Sequence, residues 1–480
     1  MANGYAGGDC RTNKRVAVVG GGLVGALQAC SLAKRGFSVD LYEARDDIRL
    51  LEHVPGRSIN LALSVRGRAA LRMVDVEEEV VSTGIKMPSR LIHDLDGSTK
   101  ALPYGTSDQY ILSVDRRKLN ESLLTTAEAN PKVKIHFSHK LKKIHLEKGE
   151  AVFQDASNNE VVVSADVYFG CDGAYSAMRS QMMRTNHMNF NQTYIPHGYM
   201  ELNMPPTENG KHRMPTNHLH IWPRDEFMMI ALPNQGGSFT VTLFMPFHNF
   251  DEVHAGGEKA VLEFFNTYFP DSVPLLGEEG LVDTFMKSKG LPMVSVKCNP
   301  YHYKDKAVIM GDAAHAMVPF YGQGMNCGLE DCVVMSELMD MYNNDFSKVL
   351  PAYTVHRNPD AEAMCDLAVY NYTEMRHLVN SRYFLFRKKV DNLLHWLMPN
   401  TYVPLYTMVT FSRRRYHEVI KKKRRQDKVR SYRVFVDGGL AVLAAMPLVA
   451  IVIAARQNML DYTKITSLLG SVEGLRLPWE

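Results

Sequence analysis

The sequence lacks any cysteine pattern. Its seven cysteines (Cys10, Cys30, Cys171, Cys298, Cys327, Cys332 and Cys365) are odd in number, with neither CxxC nor metal-ligand spacing among them. A disulfide scaffold or a cysteine-bound zinc is therefore not expected, and the thiols read as reduced groups in a cytosol-facing protein. Residues 1–14 hold no apolar run, so no secretory signal is expected. Internal repeats and low-complexity tracts are also missing, which leaves out solenoids and biased, disordered segments. Neither a Ser-His-Asp constellation nor a carboxylate pair stands out, and no metal site, catalytic nucleophile or proton-transfer base is assigned. Net charge is only +3 over 480 residues, and 45% of them are hydrophobic. That is enough to bury the core of one large or two ordinary domains.

What is present begins near the N-terminus. The apolar run Val16–Val19 leads into Gly20-Gly21-Gly22-Leu23-Val24-Gly25, a helical stretch over Leu27–Ala33, and a second strand-like run, Val39–Tyr42, ending in Glu43. This is a βαβ unit carrying a dinucleotide fingerprint in its proper context. Gly20 permits the tight turn, Gly22 lets a pyrophosphate approach bare backbone, and Gly25 lets helix and strand pack closely. The helix N-terminus offers N–H groups and a positive dipole end to phosphates. A carboxylate at Glu43 accepts from ribose hydroxyls and repels a 2′-phosphate, so the site is expected to take FAD or NAD rather than NADP.

Two later segments bear on that choice. Val161–Phe169 reads as a strand running into Gly170-Cys171-Asp172-Gly173-Ala174-Tyr175-Ser176, with Arg179 beyond. Ala307–Met310 reads as a strand leading to Gly311-Asp312-Ala313-Ala314-His315, then Pro319 and Gly322-Gln323-Gly324-Met325-Asn326. Taken singly, Asp172-Gly173 is a turn signal and Gly311-Asp312 a helix start. In this order the three motifs resemble the FAD-dependent aromatic hydroxylases, the single-component flavoprotein monooxygenases. The resemblance implies tightly bound FAD, with the GD segment on its ribityl chain and the DG segment near both FAD and the nicotinamide coenzyme. Asp312 can then accept a ribityl hydroxyl in a charge-assisted hydrogen bond. If Met325 and Asn326 open the next helix, their N–H groups face the edge of the flavin that becomes negative on reduction. No second strand–GxGxxG–helix unit occurs, so the NADPH that the resemblance implies as reductant would bind transiently on the FAD domain.

The expected architecture is α/β. Residues 1–14 form a flexible N-terminus, and 15–189 the first part of a discontinuous Rossmann-type FAD-binding domain. Residues 190–305, aromatic- and β-rich at His218–Trp222, Phe227–Leu232 and Phe239–Phe244, form a mainly antiparallel β-sheet substrate domain. Residues 306–345 return to the FAD-binding domain, and 346–433 supply C-terminal helices that complete the substrate pocket. A basic stretch (Arg413-Arg414-Arg415, Lys421 to Arg425, Lys428, Arg430, Arg433) then precedes the apolar run 434–455, whose only charge is Asp437. Its length suits a C-terminal transmembrane helix, with a tail at 456–480. Basic residues against an apolar span fit a membrane lipid surface and positive-inside topology better than nucleic acid.

Longer strings resemble a narrower branch of the same family, the enzymes that hydroxylate L-kynurenine with NADPH and O2. They are Gly56-Arg57-Ser58-Ile59-Asn60-Leu61-Ala62, Tyr194-Ile195-Pro196-His197-Gly198-Tyr199-Met200, Tyr370-Asn371-Tyr372 with Glu374-Met375-Arg376, and Pro404-Leu405-Tyr406-Thr407-Met408-Val409-Thr410-Phe411-Ser412. On that resemblance Arg90 pairs the substrate carboxylate and Tyr104 assists it. Asn371 and Tyr406 make further polar contacts, with Glu374 and Met375 close by. Around FAD it adds Val24, Tyr42, Glu43, Ala44, Arg45, Ala62, Arg116, Leu141, Ala177, Asp312, Met325 and Asn326 to Gly20, Gly22 and Gly25. It also implies the mitochondrial outer membrane, with the catalytic region facing the cytosol. A competing reading is a membrane flavoprotein acting on a lipid, such as a squalene epoxidase or a geranylgeranyl reductase, which needs no arginine clamp. A non-enzymatic one is a tail-anchored scaffold that keeps FAD only for folding.

Overall fold

Short apolar runs separated by helices pair side by side only when long crossovers connect them, and the result is a parallel sheet buried on both faces. The computed structural model describes residues 14–51, 60–104, 109–376 and 403–428. Its six-stranded sheet has the order His302–Tyr303, Ala307–Ile309, Val167–Gly170, Arg15–Val19, Ser38–Tyr42, Val133–His136. All neighbours are parallel except the first pair. Val16, Ala17, Val18, Phe169, Val308 and Ile309 are fully enclosed there.

The strand order explains why motifs far apart in sequence share one place. The strands ending at Val19, Gly170 and Ile309 are adjacent, so Gly20, Cys171 and Gly311 emerge together at their carboxyl ends. Such an edge is where ligands bind in sheets of this kind. Helix Leu23–Lys34 starts directly after the first of these turns, and helix Gly324–Met341 follows the third.

A seven-stranded sheet has the order Leu291–Asn299, Asn189–Met204, Phe239–Pro246, Phe227–Pro233, His218–Arg224, Ser89–His93, Thr99–Pro103. One face packs an apolar core that includes Trp222, Phe239, Phe265 and Phe285, the last two from helices Gly257–Tyr268 and Glu278–Lys287. Two three-stranded sheets complete the architecture. The fold is α/β with mixed sheets. The described residues from 14 through Val419 belong to one compact unit; residues 420–428, in a second unit, are helical.

The structure differs from expectation in two places. Val161–Phe169 is not one strand but two, Glu160–Ser164 and Val167–Gly170, in different sheets. The chain turns at Ala165-Asp166, where Asp166 accepts from the Arg15 amide (2.8 Å) and Tyr168 Oη donates back to the Val163 carbonyl (3.1 Å). The hairpin Ser89–Pro103, expected within the FAD-binding segment 15–189, instead joins the seven-stranded sheet. Its first strand pairs parallel with His218–Arg224, the one parallel junction in that sheet. Among the described residues no helix is long and apolar enough to cross a membrane. The expected span, 434–455, lies outside them.

Gly25 is the tightest point between helix and sheet. A Cβ there would lie 1.9 Å from the Gly20 carbonyl oxygen, a backbone atom that cannot move without opening the turn. Gly25→Ala is expected to destabilise the protein by about 3 kcal/mol or more. The check is the urea midpoint with FAD present, which should fall together with the FAD content.

Candidate functional site

A cavity of about 820 Å³ lies between the carboxyl edge of the parallel sheet and the open face of the seven-stranded sheet. At one end it is lined by Gly20, Gly22, Val24, Tyr42, Glu43, Ala44, Arg45 and Leu141; at the centre by Ala62, Arg116, Asp172, Ala177, Asp312 and Met325. At the other end are Arg90, Leu219, Met228, Ile230, Phe244, Phe320 and Tyr406.

The glycine turn is shaped for a ligand. Gly20 has φ +103°, and a Cβ on it would meet the Cys171 carbonyl oxygen at 2.5 Å, whereas nothing lies within 4 Å of a Cβ on Gly22. Bare backbone there faces the cavity at the start of helix Leu23–Lys34, the setting a pyrophosphate needs. Glu43 is more occupied than its sequence position indicates. Its Oε2 accepts from the Gly21 amide (2.6 Å), and its Oε1 from the Arg45 amide and Nε (3.0 and 2.9 Å). The carboxylate thus braces the turn: Oε1 already takes two donors, while Oε2 keeps a further lone pair for a ribose hydroxyl.

Asp312 opens the short helix Asp312–His315 and is accessible from the cavity. Burial by surrounding protein pushes its carboxyl pKa up, and Arg116 and His315 oppose that shift. Gly322-Gln323 is the hinge into helix Gly324–Met341, and Gly322 is left-handed at φ +63°. Met325 lies in the first turn and lines the cavity, so the helix N-terminus points at the centre of the site. The Asn326 side chain is buried instead. It donates to the carbonyls of Ala62 and Gly322 (both 2.8 Å) and accepts from the Ser64 amide (2.8 Å), tying the cavity loops together.

Behind the GD turn lies an ion network that sequence reading missed. Asp331 Oδ2 accepts from the Gly311 amide (2.8 Å) and His315 Nε2 (2.6 Å), while Oδ1 meets Arg357 Nε at 2.5 Å. Arg357 also reaches Glu330 (3.1 Å), which accepts both contacts from Arg66 Nη1 at 2.8 Å. Burial raises the Asp331 carboxyl, but His315 and Arg357 overcome it and hold the pKa at about 2. Burial lowers the His315 imidazole, yet Asp331 and Cys327 drive it well above its ordinary value. The ligand-type atoms of His315, Cys327 and Asp331 lie within 4.8 Å of one another. Arg357 Nη2 donates to Cys327 Sγ (3.1 Å), so the cation of this cluster is a guanidinium.

At the far end the Arg90 guanidinium lies over the Tyr406 ring (4.3 Å) and near the Tyr104 ring (5.5 Å). Tyr104 and Tyr406 stack at 5.2 Å, and Tyr321 continues the stack at 5.6 Å from Tyr406. Burial drives the Tyr104 hydroxyl pKa well up, and the residue supports Tyr406 rather than lining the cavity. Asn371 is also set back. It donates to the Phe320 carbonyl (2.7 Å), and Phe320 stacks on Tyr372 at 3.8 Å. The side chains of Glu374 and Met375 lie outside the described residues. Leu219, Met228, Ile230, Thr240, Thr242 and Phe244 form an apolar and hydroxyl wall that motif reading did not find. Its signal was the period-two pattern of those strands, with no motif to mark the face.

The fold and the cavity define an FAD-binding protein of the aromatic hydroxylase class. Residues 13–368 match the FAD binding domain family. Two solved structures under 20% identical share the fold. They are 2-methyl-3-hydroxypyridine-5-carboxylic acid oxygenase (TM-score 0.61, 19% identity, covering 76% of this chain and 93% of that one) and p-nitrophenol 4-monooxygenase from Pseudomonas putida DLL-E4 (0.61, 19%, 80% and 93%). Kynurenine 3-monooxygenase of Sus scrofa is 52% identical over 429 residues, 89% of this chain and 90% of the relative. That of Anopheles gambiae is 52% identical over 433 residues (90% and 88%), and that of Caenorhabditis elegans 46% over 447 (90% and 96%). The chain belongs to the kynurenine 3-monooxygenase family.

Removing one charge from the buried network should be costly. Asp331→Asn leaves His315 enclosed without its counter-ion and Arg357 with only Glu330, which it shares with Arg66, an expected loss of about 3–5 kcal/mol. The wild-type contribution is complete above about pH 4 and lost as pH falls through the folded value of about 2, because folding lowers this pKa. Urea midpoints measured from pH 7 downward should show a lower plateau for the variant and a shallower acid limb.

Proposed function

We propose that this protein is an NADPH- and FAD-dependent monooxygenase that converts L-kynurenine to 3-hydroxy-L-kynurenine with O2. The observation that carries the reading is one continuous cavity. It joins a phosphate-binding turn, a helix N-terminus and a cavity-lining carboxylate at one side to an arginine on an aromatic stack at the other.

The residues fit FAD. Gly20 and Gly22 would offer backbone to the pyrophosphate, Glu43 and Arg45 would hold the ribose, and Asp312 would accept from the ribityl chain. Arg116 and Ala177 also line the cavity, and the N-terminus of helix Gly324–Met341 would stabilise the negative charge that reduction places on the ring. When bound, FAD supplies the redox chemistry, taking a hydride from NADPH and activating O2.

The side chains bind, orient and exclude water. Arg90 forks onto the substrate carboxylate, backed by the stacked Tyr104 and Tyr406. Leu219, Met228, Ile230, Phe244 and Phe320 enclose the aniline ring in an apolar slot. The ring's own amino group makes C3 electron-rich, so attack on an electrophilic oxygen requires alignment more than a side-chain base. A lipid substrate would leave the Arg90 charge facing hydrocarbon, which disfavours an epoxidase-like reading.

Anchoring is part of the same proposal. The basic stretch ending at Arg433 and the apolar run 434–455 support a membrane anchor with the catalytic region in the cytosol. Family resemblance supports the mitochondrial outer membrane.

Arg90→Ala is expected to raise the KM for L-kynurenine by the equivalent of about 2–5 kcal/mol while FAD content stays normal. Arg90→Lys should recover only part, since a point charge lacks the fork. Loosely held substrate should also divert NADPH into H2O2. Product formed per NADPH consumed is the measurement, and unchanged KM with unchanged coupling would remove Arg90 from the site. Separately, a chain ending before Val434 should be released from membranes by carbonate, whereas the full chain is retained. Retention of the shortened chain would disprove the anchor.

A further inference from the structure

Arg90 is presented by the strand Ser89–His93, whose side chains alternate between two environments. Arg90 lines the cavity, while Ser89, Leu91 and His93 are buried toward the opposite face. This strand meets its neighbour, His218–Arg224, at the parallel junction of an otherwise antiparallel sheet. A slip of one residue there would turn Arg90 into the far core.

The far face carries an unusual density of polar groups at that junction. Ser89 Oγ is bonded to His218 Nδ1 (2.7 Å), directly opposite in the register. His93 Nε2 meets His220 Nδ1 (2.9 Å), and His93 Nδ1 meets Asp271 Oδ2 (2.8 Å). Asp271 also accepts from Trp222 Nε1 (2.8 and 3.0 Å), and His93 stacks on Trp222 at 4.0 Å. Arg224 Nη1 donates to the His93 carbonyl (3.0 Å).

Proton positions follow from the partners. His220 Nε2 faces the Pro215 carbonyl (2.8 Å), so it donates there and its Nδ1 is an acceptor. Burial keeps His220 neutral by lowering its pKa to about 4. Both nitrogens of His93 therefore face acceptors, one on His220 and one on Asp271. Apolar side chains would fill this core as well, but directional side-chain bonds add a preference for one register beyond the in-out alternation.

We propose that Ser89, His93 and Asp271 are positioning residues for the substrate: from the far face of the sheet they lock the strand that aims Arg90 into the cavity. The inference rests on Arg90 binding the substrate carboxylate, and its test separates the two claims.

FAD-loaded full-length protein is assayed with L-kynurenine as His93→Phe, which keeps the ring stack and deletes both bonds, as Ser89→Ala, and each combined with Arg90→Ala. His93→Phe is expected to raise KM about tenfold and to lower product per NADPH, with FAD content and kcat little changed. In the Arg90→Ala background it should lower kcat/KM no further, since the group it aims is gone. If His93→Phe yields no flavoprotein, Ser89→Ala, which deletes a single hydroxyl, reads the same split with a smaller rise. A raised KM in Arg90→Ala but not in the clamp variants overturns this proposal alone. An equal loss in the Arg90→Ala background does the same, since the effect would then bypass Arg90. An unchanged KM in Arg90→Ala overturns the substrate reading and this proposal together.

Discussion

A carboxylate sealed from water, Asp331, is the constraint on which the site depends. It belongs to helix Gly324–Met341 and holds the amide of Gly311, the ring of His315 and the guanidinium of Arg357 at once. Buried charges survive only when paired and hydrogen-bonded, so the three partners have little freedom relative to one another. The GD turn, the helix Gly324–Met341 and the long helix Phe346–Arg376 are thereby fixed to one point. Through Glu330 and Arg66 the network extends to the carbonyl of Val409, three residues beyond Tyr406. The GD turn and the segment that carries Tyr406 share one skeleton.

Around that skeleton the two sheets divide the work. The parallel sheet collects turns at its carboxyl edge, where strand ends leave backbone N–H groups and glycines free to approach a ligand. The seven-stranded sheet presents a flat wall of Leu219, Met228, Ile230 and Phe244. Neither surface alone encloses a flavin and an aromatic substrate. Joined, they form a pocket walled largely by apolar side chains, with charge at Glu43, Arg45, Arg90, Arg116, Lys140, Asp172 and Asp312. Separating those roles suits a reaction in which the protein aligns and shields rather than attacks.

Much of this is legible in the sequence. The strand–glycine turn–helix at Val16–Ala33 reads directly because each requirement is local: φ +103° at Gly20, close approach at Gly25, an apolar strand before and a helix after. The sheet character of residues 218–244 was equally plain from β-branched and aromatic alternation. Less visible were the break at Ala165-Asp166, which the β-rich residues on both sides of it disguised, and the transfer of Ser89–Pro103 to the other sheet. Nothing within that hairpin distinguishes its eventual partner strand, since pairing is decided by what lies opposite.

The sequence by itself determined the dinucleotide turn, the order of the three flavin motifs, the family and the apolar run at 434–455, because those features are written in contiguous residues or short strings. Only the tertiary structure decided which polar residues face the cavity and which hold its walls. Asn326 and Asn371 turned out to brace the carbonyls of Ala62 and Phe320, and Tyr104 to lie behind Tyr406. Asp331 emerged as the centre of the ion network, and His93 as a contact on the reverse of the Arg90 strand. The reason is physical. A buried polar side chain is defined by the partner that satisfies it, and here those partners come from segments up to hundreds of residues away.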